Sequence, residues 1–530
     1  MQYKNKYKIL LLIFLIAIII VISIYIIHSN FIYISQEKYY KISDRKEIID
    51  IIKKNHNNDK IPFNIKINNQ SAYYNELENT YYYYYDTESF NKEEKFNLKI
   101  ITDNNSNKNI NFIINSNNYK KKRRIKVTYD DDINVLVYNN KSYDEFKIKF
   151  INLPLLNITY EQDVEINTTP QSSTITLYSN DVNTKKNNII TSNSLIRTRG
   201  GISILYPKKS YRLSLIKNDN KNKISLLGMR TDEDWILDSL YSEQSFIRSK
   251  LSYDLWNQIN STGTTVINND INTEYVVVYM NNEYLGLYLL KEPVDKKTLN
   301  LNNDSILIKG ITYTDFVYPA TEITEPYYGP YELKLPNNIT NYDFYWRKIL
   351  DKMKPYFIDN EINDSVIENS FNPNNYIDYK IFVYLIKAVD NYSHKNLYLS
   401  LENLDEDTKL IFTPWDLDMT YGLIWTGKLP TYLEEIYDQY DNELYLFNEN
   451  TPKLNIKIKD RYLELRKTVL SNENINKLID NYKKDLEIGE ASRNHDKWIN
   501  ASLDEEVEKV RDFFFKRIEV FDKYVGDYDV

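Results

Sequence analysis

The sequence predicts an α+β fold, preceded by an apolar N-terminal segment and a small β-rich region. Three observations carry this reading. Segments that alternate apolar and polar residues recur along the chain, the period of a strand covered on one face. Segments with apolar residues three and four apart, the helical period, interleave with them only beyond residue 240. Composition also changes along the chain: all 11 glycines lie at or beyond Gly200, and all 6 tryptophans at or beyond Trp235.

Taken in order, residues 9–27 read ILLLIFLIAIIIVISIYII, without a charge and after Lys4, Lys6 and Lys8. A run of about 20 apolar residues is long enough to cross a hydrocarbon core as a helix. No small-x-small cleavage pattern follows it, so an uncleaved anchor is expected rather than a signal peptide. From 28 to 150 the alternating segments KFNLKIIT (95–102), NINFIINS (109–116), RIKVTY (124–129) and EFKIKFI (145–151) predict short strands separated by polar turns. From 151 onward, STITLYS (173–179), SYRLSLI (210–216), YVVVYM (275–280) and YLGLYLL (284–290) read as strands. Helical spacing marks 243–259, 342–358, 375–388 and 456–482, and Ser502 with Glu505 forms a capping box before a final helix. The expected organisation is a tail at 1–8, a transmembrane anchor at 9–27, a membrane-proximal β-rich region at 28–150 and one large domain at 151–530.

Composition removes several functional classes. Among 530 residues, 67 Lys and Arg face 75 Asp and Glu, a net charge of −8. An acidic chain without one strong basic surface is a poor nucleic-acid binder. Cysteine is absent, which excludes disulfides, thiolate zinc sites and cysteine nucleophiles. With 4 histidines, a multi-histidine metal site is not expected. Tyrosine is abundant, at 49, but coding bias accounts for runs such as Tyr81 to Tyr85 as well as any function does.

Three clusters could carry chemistry. The first, RTRGGISILYPKKSYRLSL (197–215), places Gly200 and Gly201 among basic residues, a setting for close approach to an anion. Alternation on a strand lets one of Lys208 and Lys209 face a cleft while the other faces water; a solvated basic hairpin is the plainer reading. The second, KAVDNYSHKNLYLSL (387–401), sets Asp390 after a helix and Asn396 before a strand. An Asp there can orient a hydroxyl, and an Asn oxygen can bind a hard cation, although both could simply form Asx turns. His394 reads as a loop hydrogen-bonder. The third, LIFTPWDLDMTYG (410–422), ends an apolar strand in Asp416 and Asp418, oxygen ligands suited to magnesium, or else a turn. Loop, strand, turn, strand and Asp is the order in which kinase-like folds deliver a catalytic Asp, a metal Asn and a metal Asp.

Together these segments resemble the CotH kinase family, the spore-coat-protein-H-like atypical kinases. The resemblance covers roughly 151–470 and runs in order through LPLLNIT (153–159), RTRGG…YPKKSYRLSL (197–215), LLGMRTDEDWIL (226–237), YSEQSFIRSKLSYDLW (241–256), VVVYMNNEYLGLYLLKEPVD (276–295), YELKLP (331–336), VDNYSHKNLYL (389–399) and TPWDLD (413–418). It implies a minimal, atypical protein-kinase-like fold without the glycine-rich phosphate loop. The implied activity is transfer of the ATP γ-phosphoryl group, with Mg2+ or Mn2+, to Ser or Thr of envelope or spore-coat proteins. By position, Asp390 resembles the catalytic Asp, Asn396 and Asp416 resemble metal ligands with Asp418 in support, and Lys209 resembles the phosphate-contacting lysine. Glu243 is expected on a helix, paired with Lys209; Arg199 and Glu292 are further cleft candidates. The chain departs from ordinary kinases in spacing Asp390 and Asn396 by six residues, and in placing Asn391 where an Arg would follow the Asp. The expected location is a single-pass membrane protein with its bulk outside the cytoplasm, at the cell surface or spore envelope. The alternatives are an inactive structural coat protein and a phosphotransferase acting on surface glycans.

Overall fold

The computed structural model describes residues 32–35, 41–43, 45–54, 65–67, 70–85, 95–96, 100–102, 111–115, 124–127, 131–181, 184, 186–263, 269–337, 339–391, 394–424 and 446–526. Its elements mix sheets and helices, as an α+β fold requires. The sequence did not foretell that the largest sheet closes. Seven strands bond in the order Asn187–Arg199, Gln171–Asn180, Leu155–Tyr160, Thr273–Met280, Glu283–Lys291, Asp234–Asp238 and Ser210–Lys217, and the last pairs with the first. Closure removes exposed strand edges.

The chain divides into two compact units: Met1–Gln162 with Ser173–Ser192 and Val277–Leu285, and Asp163–Ser172 with Asn193–Val276 and Gly286–Val530. The first unit contains a six-stranded sheet ordered Lys41–Ser43, Asn111–Asn115, Ile133–Tyr138, Tyr143–Ile151, Thr80–Tyr84 and Tyr73–Asn75. Helix Arg45–Lys54 sets Ile48 against Ile113 and Leu136. The tyrosine run is core: Tyr81, Tyr82 and Tyr83 are all buried. Buried hydroxyls and amides need partners, and here they find one another. Tyr82 and Tyr279 share a hydrogen bond of 2.9 Å, and Tyr73 donates to Asn282 Oδ1 at 3.1 Å. Asn282 is bound on both sides by Asn157, which donates to its Oδ1 at 2.9 Å and accepts from its N–H at 3.0 Å.

In the second unit, Ser210–Lys217 lies between Asn193–Arg199 and Asp234–Asp238, with Arg199 opposite Ser210 and Tyr211 opposite Leu237. A five-stranded sheet follows, ordered Tyr327–Tyr328, Tyr331–Leu335, Ile306–Gly310, Leu397–Leu401 and Ile411–Pro414. Helix Pro373–Leu385 is fastened to the last of these strands by Asn375, which accepts from Phe412 N at 2.7 Å and donates to Phe412 O at 3.1 Å. Buried Arg517, on the final helix Leu503–Gly526, donates to Tyr384 O at 3.0 and 3.2 Å. Gly310 admits no side chain, because a Cβ there would meet His394 O at 1.6 Å. That close approach sets His394 against the sheet.

The structure does not bear out the expected membrane location. Among the described residues no helix is long and apolar enough to cross a membrane. Leu503–Gly526 is long enough, at 24 residues, but charged residues recur throughout it. Residues 9–27, on which the anchor and the membrane partner rested, lie outside the described residues.

Candidate functional site

The site is built where two neighbouring strands of the five-stranded sheet meet a short turn. Leu397 pairs with Pro414, so the residues just beyond each strand, Asn396 and Trp415, adjoin. Trp415 N donates to Asn396 O at 3.0 Å. Asp390 sits on the single turn Val389–Asn391 after helix Pro373–Leu385, largely buried. Its Oδ2 accepts from Lys395 Nζ at 3.1 Å and from Asn396 Nδ2 at 3.4 Å, and its Oδ1 accepts from the Tyr313 hydroxyl. Asp390 and Asn396 are therefore brought together despite the six-residue spacing. Asn391 closes that longer loop: its Nδ2 donates to Asn396 O at 2.6 Å and to Trp415 O at 2.8 Å.

Asn396 and Asp416 both have left-handed backbone, with φ of +56° and +60°. Asn and Asp are the side chains that adopt this region most readily. Asp416 N donates to Tyr253 Oη at 3.2 Å, while among the described residues no group hydrogen-bonds to the Asp416 carboxylate. Asp418 Oδ2 accepts from Ser242 Oγ at 2.6 Å. Burial first, then the neighbouring Asp416 charge, pushes the Asp418 carboxyl up to about 8.

Opposite these acids stands a lysine that the sequence reading missed. Lys291 is buried at the end of Glu283–Lys291 and its Nζ pairs with Asp238 Oδ2 at 2.6 Å. It also lies over the rings of Trp415, at 4.6 Å, and Tyr253, at 5.4 Å. Burial opposes its charge, but Asp238, with Asp416 assisting, outweighs that and holds the ammonium above its usual range. The signal was present: the strand is buried on nearly every position, and a lysine in such a run must find a buried carboxylate. Arg199 joins this group, its guanidinium 5.7 Å from the Trp415 ring centroid. Lys309 is held below its usual range by burial and then by Arg199.

Three expected site residues lie elsewhere in the hydrogen-bond scheme. Lys209 turns back on its own segment, donating to Ile204 O at 2.7 Å, and makes no pair with Glu243. Lys208 is the buried one of the two lysines and reaches Asn494 Oδ1 at 2.9 Å and Leu287 O. Glu243 precedes helix Arg248–Ser261 rather than lying on it. Ile247, at the helix start, has no capping side chain, so Glu243 accepts from Arg248 N at 2.6 Å and Ser249 N at 3.0 Å. Burial, opposed by Arg248, raises its carboxyl to about 7. Glu292 ties two loops together, accepting from Arg230 N at 3.0 Å and from Asn272 N at 3.2 Å. His394 shares a 2.8 Å hydrogen bond with Tyr331.

Among the described residues no three His, Asp or Glu side chains are grouped closely enough to hold a metal on their own. The donor chemistry nonetheless fits one hard cation. Asp416 offers a carboxylate without a hydrogen-bond donor, Asn396 a side-chain amide, and Asp418 a second carboxyl beside them that burial and the Asp416 charge leave short of positive charge. Such a site is completed by oxygens of a phosphate ligand and water rather than by protein alone.

Compared with known proteins, the chain matches the CotH kinase protein family over residues 196–521, more than half its length. The match opens almost where the glycines begin and takes in every candidate residue above. No curated protein matches the chain.

Proposed function

Because the chain belongs to the CotH kinase family, we propose that it is an ATP- and Mg2+- or Mn2+-dependent kinase of serine and threonine hydroxyls on spore-coat or envelope proteins, built on a kinase-like fold. The observation that carries the reading is the convergence of Asp390, Asn396 and Asp416 with buried Lys291 and its partner Asp238. Lys291 takes the phosphate-facing role expected of Lys209, and Asp238 holds it in place as Glu243 was expected to do. Asp416 and Asn396, with Asp418 behind them, would hold the cation. Bound there, it would neutralise charge developing on the phosphate oxygens. Asp390 orients the acceptor hydroxyl and receives its proton. Arg199 and Lys309 line the cationic side. The chain's contribution is positioning and charge, with no covalent intermediate.

The test is transfer from γ-labelled ATP to a serine- and threonine-rich peptide, with and without Mg2+. Asp390→Asn and Asp416→Asn should each abolish it. Full activity in either variant would sink the assignment. One observation favours a second reading, an inactive coat-assembly protein: among the described residues the acids do not form a complete metal cluster by themselves. Absence of Mg2+-dependent ATP binding by calorimetry would decide for that reading.

A further inference from the structure

Tyr313 lies between strands Ile306–Gly310 and Tyr327–Tyr328 and is 48% exposed. Its hydroxyl donates to Asp390 Oδ1. Lys395 Nζ donates to the same phenolic oxygen at 3.2 Å and stands 4.6 Å from the ring centroid. Asp416 is close enough to act on the phenol electrostatically. The segment does not need this contact for its path. Ile311 N donates to Pro330 O at 2.8 Å, Tyr328 Oη donates to Val317 O at 2.9 Å, and Phe316 packs edge-on against Tyr331 and His394. A tyrosine half-exposed as a residue, with its hydroxyl donating to the carboxylate that orients acceptors, stands where a nucleophile must stand.

We propose that Tyr313 is a self-acceptor, phosphorylated in cis at the Asp390 site. The inference rests on the reading of Asp390 given above. The Tyr313 oxygen forms a bond to the γ-phosphorus of ATP as the bond from that phosphorus to the β–γ bridging oxygen breaks. The phenolic proton passes to the Asp390 carboxylate, and ADP leaves with the electron pair. A phosphate dianion cannot remain beside a carboxylate without strong repulsion. Phosphorylated Tyr313 therefore leaves Asp390, which becomes free for an external hydroxyl.

The experiment incubates the full chain with Mg2+ and γ-labelled ATP over a hundredfold dilution series, with an added serine- and threonine-rich peptide in a parallel arm. Mass spectrometry then reads the peptide containing residue 313. The expected result is phosphate on Tyr313, at a rate constant independent of chain concentration. It should be lost in Tyr313→Phe and Asp390→Asn, and slowed about tenfold in Lys395→Met. Labelling of the added peptide with Tyr313 unmodified overturns the self-acceptor and leaves the kinase reading standing. A rate that rises with chain concentration overturns transfer in cis. No labelling of chain or peptide overturns both readings.

Discussion

The two compact units differ in the polar groups they bury. The first buries neutral ones, tyrosine hydroxyls and asparagine amides that satisfy one another, as in Tyr82 with Tyr279 and Asn157 with Asn282. The second also buries ionisable groups: Lys291 against Asp238, Glu243 at a helix start, Asp390 under Lys395, and Lys208 against backbone and amide oxygens. A neutral network asks only that donors meet acceptors. A buried charge must be held against a large desolvation cost, and that expense is expected where charge has work to do. Every candidate site residue lies in the second unit, and four experiments press on that contrast.

The largest effect is expected at the acids. Asp390→Asn and Asp416→Asn should each lower phosphoryl transfer by roughly 10³-fold or more, while the melting temperature stays close to that of the parent. A collapse of stability instead would make these residues structural and erase the contrast. Next is Lys291→Met, which leaves the largely covered Asp238 carboxylate without its partner. A loss of about 3 kcal/mol in denaturant unfolding is expected, together with loss of transfer; the double variant Lys291→Met, Asp238→Leu should recover stability but not activity.

A smaller effect concerns pH. Asp418 and Glu243 have folded-state values raised to about 8 and about 7 from 3.8 and 4.5. The folded state therefore keeps protons that the unfolded chain has already released. Their contribution to stability is fully present below pH 3.8 and is lost as pH rises through 7 and 8. Asp418→Asn should flatten thermal stability across that window, and Mg2+ should stabilise the parent more at pH 8 than at pH 5. An unchanged profile in Asp418→Asn would remove this group from the account. Smallest is Tyr82→Phe in the first unit, expected to cost about 1 kcal/mol through the Tyr279 hydrogen bond, with transfer untouched.

Much of this was legible in the sequence because period is a local property. SYRLSLI became Ser210–Lys217, and 375–388 became Pro373–Leu385. The Ser502 cap precedes Leu503–Gly526, with Glu505 N donating to Ser502 Oγ at 3.4 Å. The stretch 456–482 broke into Pro452–Lys467 and Asn472–Leu486, because Ser471 caps a fresh start by accepting from Asn474 N. Asp390 and Asn396 lie within six residues of one another, and their meeting could be anticipated. What could not be read was pairing across distance. Lys291 meets Asp238 only because their strands adjoin, Ile236 lying opposite Lys291 and Asp238 opposite Leu289. Alternation on the strand after Lys208 and Lys209 said that the two lysines diverge, not that Lys209 would bond Ile204 O and Lys208 would reach Asn494. Closure of the sheet is likewise set by the Arg199–Ser210 end of a pairing that no local pattern encodes.

The left-handed backbone at Asn396 and Asp416 has an evolutionary consequence. Asparagine is as much at home in that conformation as aspartate, so replacing Asp416 by Asn deletes a charge without bending the chain. In a protein already crowded with asparagine, descent can silence the chemistry by one substitution and restore it by the reverse. Active and silent descendants would then share a shape and differ by a single carboxylate.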